Sequence, residues 1–263
     1  MTSAELPVAL TIAGSDSGGG AGIQADLLTF AAHRVFGTTA ITCLTAQNPD
    51  GVTAIETLPA AFVLKQILQV HRWFSLRALK TGMLHSAAIV TAVADFLRSE
   101  PRIPAVIDPV MAATSGAVLL NPQALAAVRV QLLPRATLVT PNLDEVAVLL
   151  GERPATVAAM IAAARQLASS YGVSFLVKGG HLSGDELTDV LVTPGGQART
   201  YASRRILGVD THGSGCTLSA AIAAYLARGS ALEDAVEAAR AYLRHGLEHG
   251  LRVGQRRFIN HRP

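Results

Sequence analysis

Apolar positions along the chain fall into two alternating kinds of run, and their lengths and periods predict the elements. Short β-branched or apolar stretches at 8–13, 38–44, 78–81, 105–107, 137–140 and 174–178 have the continuous apolar character of strands buried on both faces. Longer Ala/Leu-rich stretches at 22–32, 59–70, 86–97, 122–133, 156–170, 215–227 and 231–247 carry helical spacing. Strand and helix alternate, so the expected class is α/β, built from βα units around a mainly parallel sheet in one domain spanning 1–263. Two stretches break the alternation: 50–58 reads as a short flap after the second strand, and 187–202 as a β-hairpin turning at Pro194-Gly-Gly196. Right-handed crossovers would put helices on both faces and open a ligand crevice at the C-terminal ends of the strands.

Composition narrows the classes. Of 263 residues, 50% are hydrophobic and 16% charged, which is too apolar for a disordered chain. No apolar run approaches the ~20 residues that cross a bilayer, so no membrane association is expected. The start contains Glu5 and no basic cluster, and no targeting signal is read there. Cys43 and Cys216 lack the paired spacing of a zinc or thiol-exchange site, which fits a reducing cytoplasm. A formal charge of +3 makes nucleic acid a poor partner, and Arg252, Arg256, Arg257 and Arg262 read as solvated surface. Lysine is scarce: among 22 Lys+Arg positions only Lys65, Lys80 and Lys178 are lysine.

Chemistry concentrates where the strands end. The first runs into Gly14-Ser-Asp-Ser-Gly-Gly-Gly-Ala-Gly22, whose glycines let backbone N–H groups approach a ligand, with Asp26 placed to accept hydrogen bonds from a polar substrate. A dinucleotide loop or a plain tight turn are its rivals, and the former lacks a convincing acidic residue at the end of the second strand. Gly208-Val-Asp-Thr-His-Gly-Ser-Gly-Cys-Thr217 precedes a small-residue helix, so Gly213 and Gly215 would form an anion hole for a phosphoryl group. Cys216 stands at that mouth, where a thiol is expected below its free pKa of ~8.5, able to take a proton from a substrate hydroxyl or to sit beside it. Cys43, inside an apolar strand, is expected in the core. Asn142 and Glu145 share a helix face and suit either a hydrated Mg²⁺ or simple capping, and Asp108 would bring a second carboxylate to the same edge. Lys178, followed by Gly-Gly-His181, suits a phosphate or plain solvation; its retention in a lysine-poor chain favours the former.

Taken in order, Gly14 to Asp26, Thr45-Ala-Gln-Asn48, Lys80-Thr-Gly-Met-Leu84, Asp108-Pro-Val-Met111, Thr140-Pro-Asn142, Lys178-Gly-Gly-His181 and Thr211-His-Gly-Ser-Gly-Cys-Thr217 resemble the hydroxymethylpyrimidine/phosphomethylpyrimidine kinases of the ribokinase-like superfamily. The resemblance runs from about Val8 to Gly250 and implies a three-layer α/β/α fold. It implies ATP-dependent phosphorylation of 4-amino-5-hydroxymethyl-2-methylpyrimidine and then of its monophosphate, in thiamine biosynthesis. By motif, Asp26, Gln47, Met83 and Gly14 match pyrimidine-binding positions, and Gly213, Gly215 and Cys216 the catalytic loop. Lys178, Thr211 and Asn142 match the nucleotide side, and Asp108 and Glu145 the Mg²⁺ side. A cytoplasmic homo-oligomer, a dimer before a trimer, is implied through the flap at 50–58. The chain departs at Ala113-Thr-Ser-Gly116, where the family usually has lysine second, at Asp210 in place of Asn, and in the tail Phe258-Ile-Asn-His-Arg-Pro263. A pyridoxal kinase of the same superfamily, and a non-catalytic pyrimidine or nucleotide sensor, remain as alternatives.

Overall fold

A computed structural model describes residues 5–111, 121–180, 182 and 184–262. The chain runs β1 (Val8–Asp16), α1 (Gly22–Ala32), β2 (Phe36–Asn48), β3 (Gly51–Thr57), α2 (Ala60–Trp73), β4 (Leu76–Thr81), α3 (Ala87–Ser99), β5 (Ala105–Ile107), α4 (Pro122–Ala127) and β6 (Leu138–Val139). It continues through α5 (Leu143–Leu150), α6 (Val157–Tyr171), β7 (Ser174–Val177), β8 (Glu186–Val192), β9 (Ala198–Arg204), α7 (Ser214–Ala227), α8 (Leu232–Glu248), β10 (Leu251–Val253) and β11 (Arg256–Phe258). A nine-stranded sheet has the order β3-β2-β1-β4-β5-β6-β7-β8-β9, and β10 pairs with β11 apart from it. Strands β2 to β7 in that order are parallel, and β3, β8 and β9 add antiparallel edges.

Alternation within the strands decides the layers. In β1, Leu10 and Ile12 enter one apolar core with Val63, Ile67, Ile89 and Met160 of α2, α3 and α6, while Ala9 enters another with Phe30 of α1 and Ile222 and Val236 of α7 and α8. The same division separates Phe175 and Val177 from Leu176 in β7. Helices therefore cover both faces, as right-handed crossovers require once the chain moves from β1 out to β2 and returns on the opposite side at β4. That reversal beside β1 is the switch point at which parallel sheets open a crevice. Each wholly buried Leu or Ile contributes about 1.5–3 kcal/mol to holding the layers.

One expectation is corrected and two are filled out. The helix foreseen over 122–133 ends at Ala127 and continues as a π turn, Val128–Leu132, and a 3-10 turn, Leu133–Arg135. Pro134 explains the widening, because it offers no N–H to residue 130 and its ring crowds that carbonyl. The helix started by Asn142 is a full element, α5, closed by Gly151 in the left-handed region at φ 89°. The arginine-rich tail is structured rather than merely solvated: β10 and β11 form a hairpin, and Arg256 reaches Asp50 at 3.0 Å and Asp210 at 3.4 Å. The flap and the 187–202 hairpin appear as β3 and as β8–β9. Among the described residues no helix is long and apolar enough to cross a membrane. The Ala113-Thr-Ser-Gly116 stretch and His181 lie outside the described residues.

Candidate active site

Asp16 and Gln47 lie at the ends of β1 and β2, Asp108 and Lys178 follow directly on β5 and β7, and Met83 and Asn142 come two and three residues after β4 and β6. All occupy the C-terminal edge of the sheet, and the N-terminus of α7 faces it: a Cβ on Gly215 would lie 3.3 Å from Lys178 Nζ and 3.5 Å from Asp108 Oδ2. Gly213, the N-cap of α7, has φ 80°, and a Cβ there would strike the Gly20 carbonyl at 1.9 Å. Only glycine meets both demands. The first turn of α7 has no side-chain cap, so the N–H groups of Gly215 and Cys216 have no protein acceptor among the described residues. This is the arrangement that receives an anion.

On the β1–β2–β4 side, the Asp16 carboxylate gathers the glycine-rich loop. It accepts from Gly18 N–H at 2.8 Å, Gly20 N–H at 3.2 Å and Ala21 N–H at 2.9 Å, and His212 Nε2 stands 3.2 Å away. Gln47 Nε2 lies 3.4 Å from the same imidazole nitrogen, and both Gln47 and Met83 are half-buried at the mouth. Gly14 has a packing reason of its own, since a Cβ would come within 2.8 Å of Cys43 Sγ; Cys43 is fully buried, as expected. Asp26 is wholly buried and holds Lys80 Nζ at 2.9 Å through both carboxylate oxygens, with Thr11 Oγ1 donating at 2.6 Å. No local pattern pairs the two: Lys80 sits within an apolar strand, and its ammonium enters the cleft floor rather than solvent. Burial alone would lower the Lys80 pKa, but the Asp26 carboxylate, the Cys216 thiol and Asp108 more than offset it and push it up.

On the β5–β6–β7 side, Lys178 donates to Asp108 Oδ1 at 3.0 Å. Glu145 and Asn142 form a reciprocal capping box, each backbone N–H meeting the other's side chain at 2.8 Å, and Met111 N–H adds a bond to Glu145 at 3.2 Å. The capping alternative is therefore realised. Burial raises the Glu145 pKa against the pull of Lys178, and the Lys178 pKa is raised by Asp108 and Glu145 despite burial. Thr211 is exposed just before the loop.

The thiol corrects an expectation. Burial raises the Cys216 pKa above its ordinary 9.0, against the opposing field of Lys80 and an N–H from Gly22. Desolvation of a thiolate outweighs the helix terminus here. Asp16 and His212 lie within the motifs, but the motifs assign neither a role. An acidic residue opening a glycine-rich turn, able to satisfy several N–H groups, was the available signal for the first.

A doubly covered parallel sheet with a glycine-shaped anion site at a helix N-terminus, flanked by two lysine–carboxylate pairs, defines a small-molecule kinase of the ribokinase-like class. Residues 16–261 match the family described as phosphomethylpyrimidine kinase. The chain is 49% identical over 237 residues to the hydroxymethylpyrimidine/phosphomethylpyrimidine kinase of Rhizobium meliloti, covering 90% of this chain and 88% of that protein. The chain belongs to the phosphomethylpyrimidine kinase family. Among solved structures it is similar to phosphomethylpyrimidine kinase from Clostridium difficile, with TM-score 0.81 and 38% identity over 92% of this chain and 99% of that one. It is also similar to an ADP complex of Bacillus subtilis pyridoxal kinase, with TM-score 0.90 and 35% identity over 98% of both chains.

Proposed function

We propose that the chain transfers the γ-phosphoryl group of ATP to the hydroxymethyl oxygen of 4-amino-5-hydroxymethyl-2-methylpyrimidine, and then to the phosphate of the resulting monophosphate, in thiamine biosynthesis. The observation that carries this reading is the uncapped first turn of α7, open at Gly215 and Cys216 and set against Lys178 and Asp108. In each transfer the acceptor oxygen bonds to the γ-phosphorus as the bond to the leaving ADP oxygen breaks. Charge spreads over the transferring oxygens, so the protein's work is positioning and N–H donation.

Gly213, Gly215 and Cys216 present the backbone to those oxygens, and the Cys216 side chain, in the thiolate form that its raised pKa makes the minor one, receives the proton of the attacking hydroxyl. Lys178 exchanges Asp108 for nucleotide phosphate, with Thr211 and Asn142 on the same side. Gln47 and Met83 meet the pyrimidine, Gln47 by hydrogen bonding and Met83 by packing on the ring face; Gly14 leaves it room, and Asp26, clamped to Lys80, forms the floor. Mg²⁺ fits as an ion carried by nucleotide phosphates and its own waters, because both Glu145 oxygens already accept N–H bonds and Asp108 holds Lys178. It would supply charge neutralisation, with Asp108 and Glu145 accepting from its waters. The reading includes a cytoplasmic homo-oligomer, a dimer first, joined through β3, whose outer edge borders the sheet.

A second reading, pyridoxal as the acceptor, rests on the likeness to the Bacillus subtilis enzyme. Phosphorus NMR of the enzyme with Mg-ATP and hydroxymethylpyrimidine separates them. The expected course is a new phosphomonoester resonance followed by a diphosphate pair; conversion of pyridoxal with the pyrimidine untouched would overturn the first reading.

A further inference from the structure

The second transfer differs from the first in that its acceptor arrives as an anion, so a cation is needed on the acceptor side of the anion loop. Lys80 is wholly buried and spent on Asp26. Lys178 lies on the nucleotide side with Asp108, and Arg256 is divided between Asp50 and Asp210. Position 114, a lysine in most of the family by the resemblance above, is threonine.

Resting on the function just proposed, we propose that His212, in its doubly protonated form, binds the phosphate of the monophosphate acceptor and so equips one cleft for both steps. Three observations carry this. His212 immediately precedes Gly213, and its ring lies against the glycine-rich loop, where a Cβ on Gly20 would come within 2.8 Å of Cδ2. Asp16 already accepts three backbone N–H bonds as a carboxylate, so the imidazole nitrogen 3.2 Å from it, Nε2, must carry hydrogen and donate. That leaves Nδ1 as the free position: it has no partner among the described residues, and the His212 side chain is 30% exposed.

The same Nε2 hydrogen requires Gln47 to turn its amide oxygen toward the ring. The Gln47 NH₂ then meets Thr45 Oγ1, an acceptor because its own hydrogen goes to the Ser15 carbonyl. His212 thereby also sets the amide orientation that a pyrimidine would meet. A proton on Nδ1 creates a charge-assisted donor for a phosphate oxygen. The charged groups facing His212 favour that proton: the Asp16 hydrogen bond and charge, with Asp210 behind, raise its pKa above the ordinary 6.5 despite burial, and Arg256 pairs with Asp210 at 3.4 Å.

The test compares His212→Gln and His212→Lys with wild type, measuring kcat/KM for hydroxymethylpyrimidine and for its monophosphate across pH 6–9. Both steps slow in His212→Gln, but the monophosphate step should fall roughly 10- to 100-fold further, the range of a charge-assisted hydrogen bond. His212→Lys should restore the ratio. In wild type the ratio should decline as pH rises through the His212 pKa, and in His212→Lys it should stay level there. Equal losses in both steps, or a ratio that ignores pH, would assign His212 to loop structure alone and overturn the proposal. A wild type active on neither pyrimidine would instead overturn the underlying function, and one active on the alcohol alone would overturn the role of His212 while leaving the first step standing.

Discussion

Two aspartate–lysine pairs face the cleft, and they are built differently. Asp26 and Lys80 are each 0% exposed, joined at 2.9 Å through both carboxylate oxygens and braced by Thr11. Lys178 is 16% exposed and Asp108 4%, with a single contact of 3.0 Å, and Glu145 as a second carboxylate acting on the lysine. The first pair cannot open without stranding a charge in the core, whereas the second has a partly solvated lysine with somewhere else to go. A closed pair holds the floor of a site; an open one can exchange its carboxylate for a phosphate.

Lys80→Met should break the comparison most severely. Removing one partner of a buried pair costs about 3–5 kcal/mol, so thermal unfolding should move down by many degrees. The double variant Asp26→Leu/Lys80→Met should recover most of that loss, since apolar replacement of a buried pair is close to neutral; no recovery would mean that the pair does more than neutralise itself. Cys216→Ala lies between the pairs and should lower kcat ~10²–10⁴-fold with nucleotide binding little changed. With the thiol pKa raised, kcat/KM for the pyrimidine should climb with pH toward that value. A flat profile with near-normal kcat would reduce Cys216 to packing.

Lys178→Met should raise the KM for ATP and cut kcat roughly 10²-fold, a loss typical of one charge-stabilising group, while lowering the unfolding temperature less than Lys80→Met does. Unfolding losses equal to those of Lys80→Met would erase the distinction between the pairs. Asn142→Ala should cost about 1 kcal/mol as a lost N-cap, with a modest effect on activity.

A pH test reads the glycine-rich loop. Asp16 is depressed below its ordinary 3.8, burial being outweighed by His212 and the loop N–H groups, so its contribution exists above 3.8 and is lost as pH falls through the folded value. His212 is raised above 6.5, so its contribution is complete below 6.5 and is lost as pH rises through its folded value. Corrected for intrinsic rates, amide exchange at Gly18, Gly20 and Ala21 should be slowest between those limits and quicken above neutrality; protection that keeps rising with pH would contradict the Asp16–His212 bond.

The sheet edge was legible in the sequence because each apolar run ends in a residue that cannot stay in a strand core: Asp16, Asp108, Asn142 and Lys178. Strand order was not written in any one run, though right-handed connections left few alternatives. The Asp26–Lys80 bond joins positions 54 apart, each embedded in apolar surroundings, and no local pattern pairs them. A lysine inside an apolar strand of a chain with so few lysines was nevertheless a sign that a buried carboxylate had to exist. The Cys216 thiol was misjudged because helix position shows in sequence and desolvation does not. Arg256 is exposed as expected, but its partners, Asp50 and Asp210, arrive only when the flap and the anion loop fold toward the tail.

The most direct test of the central claim is a coupled ADP-release assay with Mg-ATP, run in parallel on hydroxymethylpyrimidine, its monophosphate and pyridoxal. The account predicts turnover on both pyrimidines, with pyridoxal slower than either. Turnover on pyridoxal alone, or on none of the three, would contradict it.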